Sequence, residues 1–260
     1  RQLVALLYAG EIPSYDVSKV RPAGARLKTF GGRASGPAPL VDLFEFAINL
    51  FSNNAGKKLT SYDCHSLMCK IGEVVVVGGV RRSAMISLSN LSDIRMRQAK
   101  SGKWYDTAPH MQLANNSVSY TDKPDAETFM REWTSLIESK SGERGIFNRV
   151  AAKKQVDKNG RRDSNHEFGC NPCSEIILRP YQFCNLTEVV IRSTDTNKDL
   201  ARKVKLATIL GTAQATLTKF PYLRKVWTDN TEEERLLGVS LTGIMDNVLT
   251  NGTDEDLCHR

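Results

Sequence analysis

The segment GCNPCSEIILRPYQFCNL, from Gly169 to Leu186, holds three of the six cysteines of the chain. The side chains in it that can react or take part in catalysis are those of Cys170, Asn171, Cys173, Glu175 and Cys184. A thiol beside a carboxylate and an amide can donate hydrogen, exchange disulfides or bind a metal ion. Cysteines also occur as ordinary buried packing residues. Three thiols in so short a segment favour chemistry, so we interpret the remaining sequence around them.

Length and composition limit the class of protein to which the chain can belong. The chain has 260 residues, of which 40% are hydrophobic, and this is enough for a sizeable core. Six cysteines are too few for a secreted disulfide scaffold, so a reducing compartment is expected. Apolar runs such as Val74 to Val77 are too short to cross a membrane. We therefore expect a cytoplasmic protein that does not associate with a membrane.

Basic residues exceed acidic ones by 36 to 29, which gives a formal charge of +7. Such an excess can bind nucleic acid or nucleotide phosphates, or it can simply be solvated by water. The basic residues are scattered, without an arginine-rich tract or a helix-turn-helix pattern, and this favours a solvated surface. We therefore expect no direct binding of nucleic acid.

Periodicity of apolar residues predicts helices alternating with short strands. Helices are predicted over residues 40–51, 61–68, 93–100, 125–138 and 199–217. A further helix, 231–248, is predicted from a capping-box pattern at its start. Buried strands are predicted at 74–77, 85–88 and 188–192, and residues 153–167 predict a surface excursion. Helix 125–138 is expected to bury Phe129 and Trp133. The alternation indicates an α/β architecture, which we assign to a single domain over residues 1–260.

Two polar segments predict loops that bind a ligand. The glycine-rich basic segment from Val17 to Pro39 contains Gly24, which permits a positive φ, and Arg26, which suits a phosphate or carboxylate. Its alternative is a flexible basic connector. In a loop predicted from residue 110 to 124, Asn115 and Asn116 suit hydrogen bonds to a base or sugar, although they are equally ordinary turn residues.

The cysteine segment permits two metal or redox interpretations. His166, Cys170, Cys173 and Cys184 would complete a four-ligand zinc set, which with the basic charge suggests a zinc-stabilised nucleic-acid-binding module. A closed zinc ribbon normally supplies a second CxxC pair, and none is present here. A thioredoxin-like CxxC should precede a helix, whereas CNPC precedes the strand-like sequence EIIL.

A third interpretation gives the residues separate roles. In an extended segment, side chains two residues apart point to the same side, so Asn171, Cys173 and Glu175 would project toward one cavity. They would offer a hydrogen-atom donor or radical centre beside a general base and a neutral amide. Cys184 can return across a hairpin or loop and act as the redox partner.

Five blocks of sequence resemble those of one enzyme family. NPCSEI followed by FCNL is similar to the active-site finger of the large, catalytic chain of ribonucleotide reductases. Further blocks that resemble the family are GGVRRSA, LANNSV, ESKSGERGIFNR and PAGARLKTFGG, so the resemblance runs along essentially the whole chain. The form NPC and the short interval to Cys184 most resemble the adenosylcobalamin-dependent subclass, class II, which occurs in phages and bacteria.

The resemblance implies a fold and a radical reaction. The implied fold is part of a ten-stranded α/β barrel made of two half-sheets, with the Cys173 loop threaded into its centre. Cys173 would become a thiyl radical and remove the 3′ hydrogen of the ribose, while Glu175 takes the 3′-hydroxyl proton. Asn171 would hold the ribose hydroxyls, and Pro172 and Ser174 would complete the substrate contact. Loss of the 2′-hydroxyl as water would then lead to a deoxyribonucleotide, a precursor for DNA synthesis.

The resemblance also implies partners. Cys184 would be one of two reducing thiols, and the family's second thiol lies on an amino-terminal strand that we do not find here. Gly24 and Arg26 would belong to a specificity loop that senses a nucleotide effector, and Asn115 and Asn116 would occupy the position of the other such loop. Adenosylcobalamin is the implied cofactor, and no metal ion bound directly by this chain is expected.

The ends of the chain predict a central fragment. It begins at Arg1 without methionine, and the family's phosphate loop and the tail cysteines that receive electrons from a thioredoxin-like reductant are not found. We therefore expect the chain to be inactive alone, and its parent to work in the cytoplasm of a bacterium or a phage-infected host cell.

Overall fold

The computed structural model describes residues 1–28, 32–77, 84–140 and 143–252. They form two compact units: unit 1 comprises the described residues of 1–155 and 169–175, and unit 2 comprises 156–168 and the described residues from 176 onward. Both units contain helices and strands, and parallel pairing joins β1 to β2, β2 to β3 and β6 to β7, the strands whose bounds are given below. The predicted mixed α/β class is confirmed.

The secondary structure follows in chain order. The helices are α1 Gln2–Tyr8, α2 Ala38–Asn53, α3 Ser61–Val77, α4 Ile94–Arg97, α5 Trp104–Thr107, α6 Ala126–Ser139, α7 Arg149–Asn159, α8 Asn197–Ala215 and α9 Lys225–Glu234. The strands are β1 Met85–Ser89, β2 Ala114–Tyr120, β3 Gly145–Asn148, β4 Gly169–Cys170, β5 Ile177–Leu178, β6 Asn185–Val190 and β7 Leu237–Thr242. Short 3₁₀ helices occur at Pro109–Leu113 and Ile244–Asp246. No helix within the described ranges is long and apolar enough to span a bilayer.

Strand β2 is the centre of the unit 1 sheet, which has the order β1-β2-β3. Asn116 pairs in register with Ser87 of β1, and Ser117 pairs with Gly145 of β3. The prediction of a loop over residues 110–124 is therefore wrong for most of its length. Asparagine and serine are poor strand formers, but a central strand bonds along both edges, and this outweighs local propensity. The polar residues Asn116 and Ser117 are consequently buried.

The predicted strand at Val74–Val77 is also wrong, because these valines end helix α3. The helix is well started: Thr60 and Asp63 bond reciprocally, with Asp63 N–H 3.1 Å from Thr60 Oγ1 and Thr60 N–H 2.9 Å from an Asp63 carboxylate oxygen. Once its first turn has formed, a helix gains one hydrogen bond for each residue added. A short apolar run such as this one is compatible with a helix as well as with a strand. The strand predicted at 85–88 is confirmed as β1, while residues 78–83 of GGVRRSA lie outside the described residues.

Helix α6 is confirmed, but the face that it buries was predicted wrongly. Phe129 is 38% exposed and Trp133 is 48% exposed, whereas Glu132 is fully buried. The Glu132 carboxylate receives Arg97 Nε at 3.1 Å and Arg144 Nη2 at 2.9 Å. Because two arginines neutralise this carboxylate, the polar side of the helix packs inward.

In unit 2, β6 and β7 pair in parallel, with Asn185 opposite Leu237, and helix α8 packs on them. The core of this unit includes Val189, Ile191 and Ala207. A capping box formed by Thr196 and Asp199 begins α8, so the predicted helix and the strand before it are confirmed.

The helix predicted over residues 231–248 is wrong. Thr231 lies in the last turns of α9, where its Oγ1 donates to the carbonyl oxygen of Trp227 at 2.7 Å instead of capping a new helix. Arg235 then takes a left-handed conformation with φ 45°, which ends the helix, and the chain continues as β7.

The surface excursion predicted over residues 153–167 is replaced in its first half by helix α7, which buries Ala152 and Val156.

A buried polar cluster lies beneath α3. His65 and Cys69 are one helical turn apart, with His65 Nε2 3.6 Å from the sulfur, and Ser66 Oγ is 2.7 Å from His110 Nε2. Burial, helped by the charge of Lys100, lowers the pKa of His65 to about 4. Burial raises the pKa of the Cys69 thiol to about 11, against the opposing effect of Lys100. Both groups are therefore neutral at pH 7 and do not form an ion pair.

This histidine makes stability depend on pH. The unfolded chain takes up a proton near pH 6.5, whereas folded His65 does so only near pH 4. The contribution of His65 to the free energy of unfolding is therefore fully present above the unfolded pKa of about 6.5. It is lost as the pH falls from 6.5 toward 4, and the loss is about 2 kcal/mol at pH 5. His110, whose pKa burial also lowers, acts in the same direction. Urea denaturation at pH 7.5 and 5.0 measures the loss, and an unchanged loss in His65→Gln would contradict this origin.

Candidate active site

The central cysteine lies in a tight turn. Ser174 N–H donates to the carbonyl oxygen of Asn171 at 2.9 Å, which closes a turn over Pro172 and Cys173. Proline suits the second position of such a turn because its φ is already fixed. The extended conformation predicted for this segment is therefore wrong, and strand alternation does not bring Asn171, Cys173 and Glu175 to one side. Cys173 and Glu175 are exposed, and Asn171 is half-buried.

The turn requires an unusual backbone conformation at Ser174. Its φ is +67°, in the left-handed region that costs a residue with a side chain about 1 kcal/mol. Cys170 Sγ lies 3.6 Å from Ser174 Oγ, to which it donates. Burial raises the pKa of the Cys170 thiol, the bond to Ser174 opposes this, and the charge of Glu175 adds to it. Cys170 therefore remains a protonated thiol at neutral pH.

Strand β2 anchors the turn. Asn115 Nδ2 donates to the carbonyl oxygen of Pro172 at 3.1 Å, and Asn115 Oδ1 accepts from Ser117 Oγ at 2.9 Å. Gly169, which leads into the turn, lies against β1, because a Cβ added there would be 3.4 Å from Leu88 Cδ1. Two segments that were singled out separately in the sequence, LANNSV and CNPC, thus meet in unit 1.

Cys184 belongs to unit 2, where it is half-buried directly before β6. The segment that leads to it is held by the end of α9. Arg179 Nη2 lies 2.6 Å from Glu233 Oε2, and Asn230 Nδ2 donates to the carbonyl oxygen of Pro180 at 2.9 Å. Phe183, the neighbour of Cys184, packs on Trp227 with ring centroids 4.7 Å apart. The position of Cys184 is therefore set by α9.

Sequence reasoning missed the arginines that hold this segment. Arg162 donates to the carbonyl oxygen of Ile177 at 2.9 Å and pairs with Glu234 at 2.9 Å, and the Arg179 side chain is only 3% exposed. Ile177 and Glu234 lie 15 and 72 residues from Arg162, and Glu233 lies 54 residues from Arg179, so no local pattern connects these partners. The available signal was Arg179, a charged residue that directly follows the apolar run at residues 176–178.

The zinc alternative finds no geometric support. In the described part of the chain, no three or more His, Cys, Asp or Glu side chains are grouped to hold a metal ion. His166, one of the four suggested ligands, instead has its Nε2 3.3 Å from Arg179 Nη1 and 3.7 Å from an Asp163 carboxylate oxygen.

The basic glycine-rich segment folds back on itself. Gly24 has a φ of +83°, as predicted, and its N–H donates to the carbonyl oxygen of Ala34 at 2.9 Å. Arg26 pairs with Arg33 in an antiparallel bridge, and Arg33 Nη1 donates to the carbonyl oxygen of Gly24 at 2.9 Å. The described residues 24–27 and 32–34 thus form the two paired arms of a short hairpin, on which Arg26 is exposed, while residues 29–31 lie outside the described residues.

Comparison with known proteins gives a consistent result. Residues 12–51, which include the hairpin, match the family described as "B12-dependent ribonucleotide reductase, insertion domain". The chain is 33% identical over 238 residues to the adenosylcobalamin-dependent ribonucleoside-triphosphate reductase of Lacticaseibacillus paracasei, covering 89% of this chain and 30% of the relative.

Two further relatives carry the same name. The protein of Lactobacillus helveticus is 33% identical over 261 residues, and that of Lactobacillus acidophilus is 34% identical over 257 residues. Each alignment covers 94% of this chain and 32% of the relative. The chain therefore spans about a third of the length of the curated relatives it matches.

Proposed function

Since the chain belongs to the adenosylcobalamin-dependent ribonucleotide reductases, we propose that it supplies the radical-bearing part of an enzyme that reduces ribonucleotides to 2′-deoxyribonucleotides. The named relatives are ribonucleoside-triphosphate reductases, so we assign a triphosphate substrate. The observation that carries the proposal is the exposed Cys173 in a turn anchored to a central strand. The products would supply DNA synthesis.

We assign the first steps to the turn. Cys173, as a thiyl radical, takes the 3′ hydrogen atom of the ribose and becomes a thiol again. The exposed Glu175 carboxylate takes the 3′-hydroxyl proton, for which a carboxylate within hydrogen-bond range is a competent base. Asn171 bonds to the ribose hydroxyls, and Pro172 and Ser174 shape the contact. The 2′-hydroxyl then leaves as water with a proton from the reducing thiol pair, and Cys173 and Glu175 later return the hydrogen atom and the proton that they took.

The reducing electrons come from two thiols. One ribonucleotide and two thiols give one deoxyribonucleotide, one water molecule and one disulfide, so the reaction balances. Cys184 is the thiol that we assign in this chain, and its partner lies on the strand that the sequence did not match. Re-reduction of the disulfide is assigned to a thioredoxin-like protein that acts through the cysteines of the longer chain.

The turn also fits the proposed cofactor. The Cys173 side chain is exposed, so a bulky group can approach its sulfur. Adenosylcobalamin, when bound, supplies the radical that no amino-acid side chain starts alone. The chain's own contribution is to hold one thiol in a fixed turn beside a general base.

Two nucleotide contacts stay predictions. Arg26 is exposed on the hairpin that Gly24 shapes, and a guanidinium there can bind the phosphates of an effector. Asn115 and Asn116 were predicted to bond to the base or sugar of a nucleotide, although Asn116 is buried within β2. We also propose that the parallel sheets belong to one ten-stranded catalytic barrel, and that the parent acts in the cytoplasm.

The role of Cys184 can be tested in the full-length parent, supplied with adenosylcobalamin, a ribonucleoside triphosphate and a dithiol. We expect Cys184→Ser to lower product formation by about a hundredfold or more, because no disulfide can close. Cleavage of the cofactor, followed by its visible absorption, should continue. Cys64→Ser, a change at an exposed thiol on α3, is the matched control and should retain activity. Loss of both signals in Cys184→Ser would refute the separate reducing role.

A further inference from the structure

An ion pair completes the edge of β2 beside Asn115. Strand β3 pairs with β2 only from Ser117 onward. Upstream of that point, Lys100 Nζ donates to the carbonyl oxygen of Ala114, and Glu143 Oε2 accepts from Asn116 N–H at 3.0 Å. The two side chains thus bond to the backbone groups that a neighbouring strand would otherwise satisfy, on either side of Asn115.

This pair is strongly held. Lys100 Nζ lies 2.7 Å from Glu143 Oε1, and the side chains are only 6% and 26% exposed. Lys100 Nζ also lies 4.9 Å from the centre of the Trp104 ring, within range of a cation–π interaction. Charge-assisted hydrogen bonds are stronger than neutral ones, and removing one partner of a buried pair leaves an uncompensated charge. The backbone at Asn115 is therefore rigidly placed.

Asn115 transmits this placement to the cysteine turn. Its Nδ2 donates to the Pro172 carbonyl oxygen at 3.1 Å, one residue before Cys173, while its Oδ1 accepts from Ser117 at 2.9 Å. Both ends of the amide are engaged within the protein. We propose that Lys100, Glu143 and Asn115 form a positioning relay that sets the Cys173 turn for hydrogen transfer. The relay deepens the proposed reductase function and rests on it.

The relay makes Asn115 a positioning residue, in place of the substrate contact expected from the sequence. Hydrogen transfer requires the sulfur and the ribose C3′ in a defined geometry, and a misplacement of about 1 Å can cost on the order of a hundredfold in rate. Loss of the anchor should therefore reduce kcat. KM for the triphosphate should stay nearly unchanged, because the proposal gives none of the three relay residues a contact with the substrate.

Kinetics of the full-length parent test the relay. Asn115→Ala and Lys100→Met should each lower kcat about tenfold, with KM for the triphosphate within about twofold. The double variant should be no slower than the slower single variant, because both act through one bond. Controls are Asn90→Ala and Lys103→Met, which change exposed residues of the same types nearby. Multiplied losses in the double variant, or a raised KM at unchanged kcat, would overturn the relay.

Hydrogen exchange tests the same relay without turnover. The Ser174 N–H, bonded to the Asn171 carbonyl, should exchange at least about fivefold faster in Asn115→Ala and Lys100→Met, and at the parent rate in both controls. Glu143→Gln, which keeps the shape of the side chain but loses its charge, gives the same test if Lys100→Met does not fold. Unchanged exchange at Ser174 would overturn the relay. Faster exchange in a parent that reduces no ribonucleotide would sustain the relay and refute the reductase function.

Discussion

Replacing Cys173 with serine in the full-length parent should abolish reduction of the ribonucleotide, with a loss of about a thousandfold or more. Serine keeps the size of the side chain and can occupy the same turn. Its O–H group does not yield a hydrogen atom as a thiol does, so no radical forms at the position that meets the ribose. Deoxyribonucleotide formation with adenosylcobalamin and a dithiol is the measurement.

Cys170→Ser provides the matched control, three residues earlier in the same segment. The hydroxyl of the new serine can still donate to Ser174 Oγ, as the Cys170 thiol does at 3.6 Å, so the turn should be preserved. We expect its rate to stay within about threefold of the parent rate. Turnover retained in Cys173→Ser, or lost equally in both variants, would refute the assignment of the radical to Cys173.

The sequence predicted a chemistry for the candidate site, but it did not predict the local shape of the segment. Cys173, Glu175 and Asn171 were predicted as site residues because a thiol, a carboxylate and an amide occur together within five residues. The strand-like alternation expected for them failed because Pro172 and the left-handed Ser174 bend the segment into a turn. Side chains alternate between two sides only while the backbone stays extended, and the turn at Pro172 and Cys173 ends the extended conformation here.

Long-range contacts explain most of what sequence reasoning missed. The bond from Asn115 to Pro172 joins residues 57 apart, and the Lys100–Glu143 pair joins residues 43 apart. Local periodicity carries no information on such pairs. The same limit applies to β2, whose asparagine and serine residues are stabilised by neighbouring strands, and those strands are visible only in the fold. Elements with a strong local signal, such as α2 and α8, were predicted correctly.

Helix α6 shows how a buried charge can reverse an expected orientation. Its apolar residues Phe129 and Trp133 suggested the inner face, yet the fully buried residue is Glu132. Arg97 lies 35 residues before Glu132 and Arg144 lies 12 residues after it, and together they bond both carboxylate oxygens. Arg144 also donates to Ser89 of β1 at 2.9 Å, so the carboxylate connects the helix to the sheet.

Glu132→Gln should consequently lower the free energy of unfolding by about 3–5 kcal/mol, because it removes the charge that neutralises two arginines inside unit 1. The matched control is Glu127→Gln on the same helix, where the carboxylate also pairs with an arginine, Arg131. That pair is exposed, at 73% and 69% of the two side chains, so its loss should cost less than about 1 kcal/mol. Urea denaturation of both variants measures the difference through the shift in midpoint at constant slope. Equal losses would show that burial of the Glu132 carboxylate does not hold α6 to the sheet.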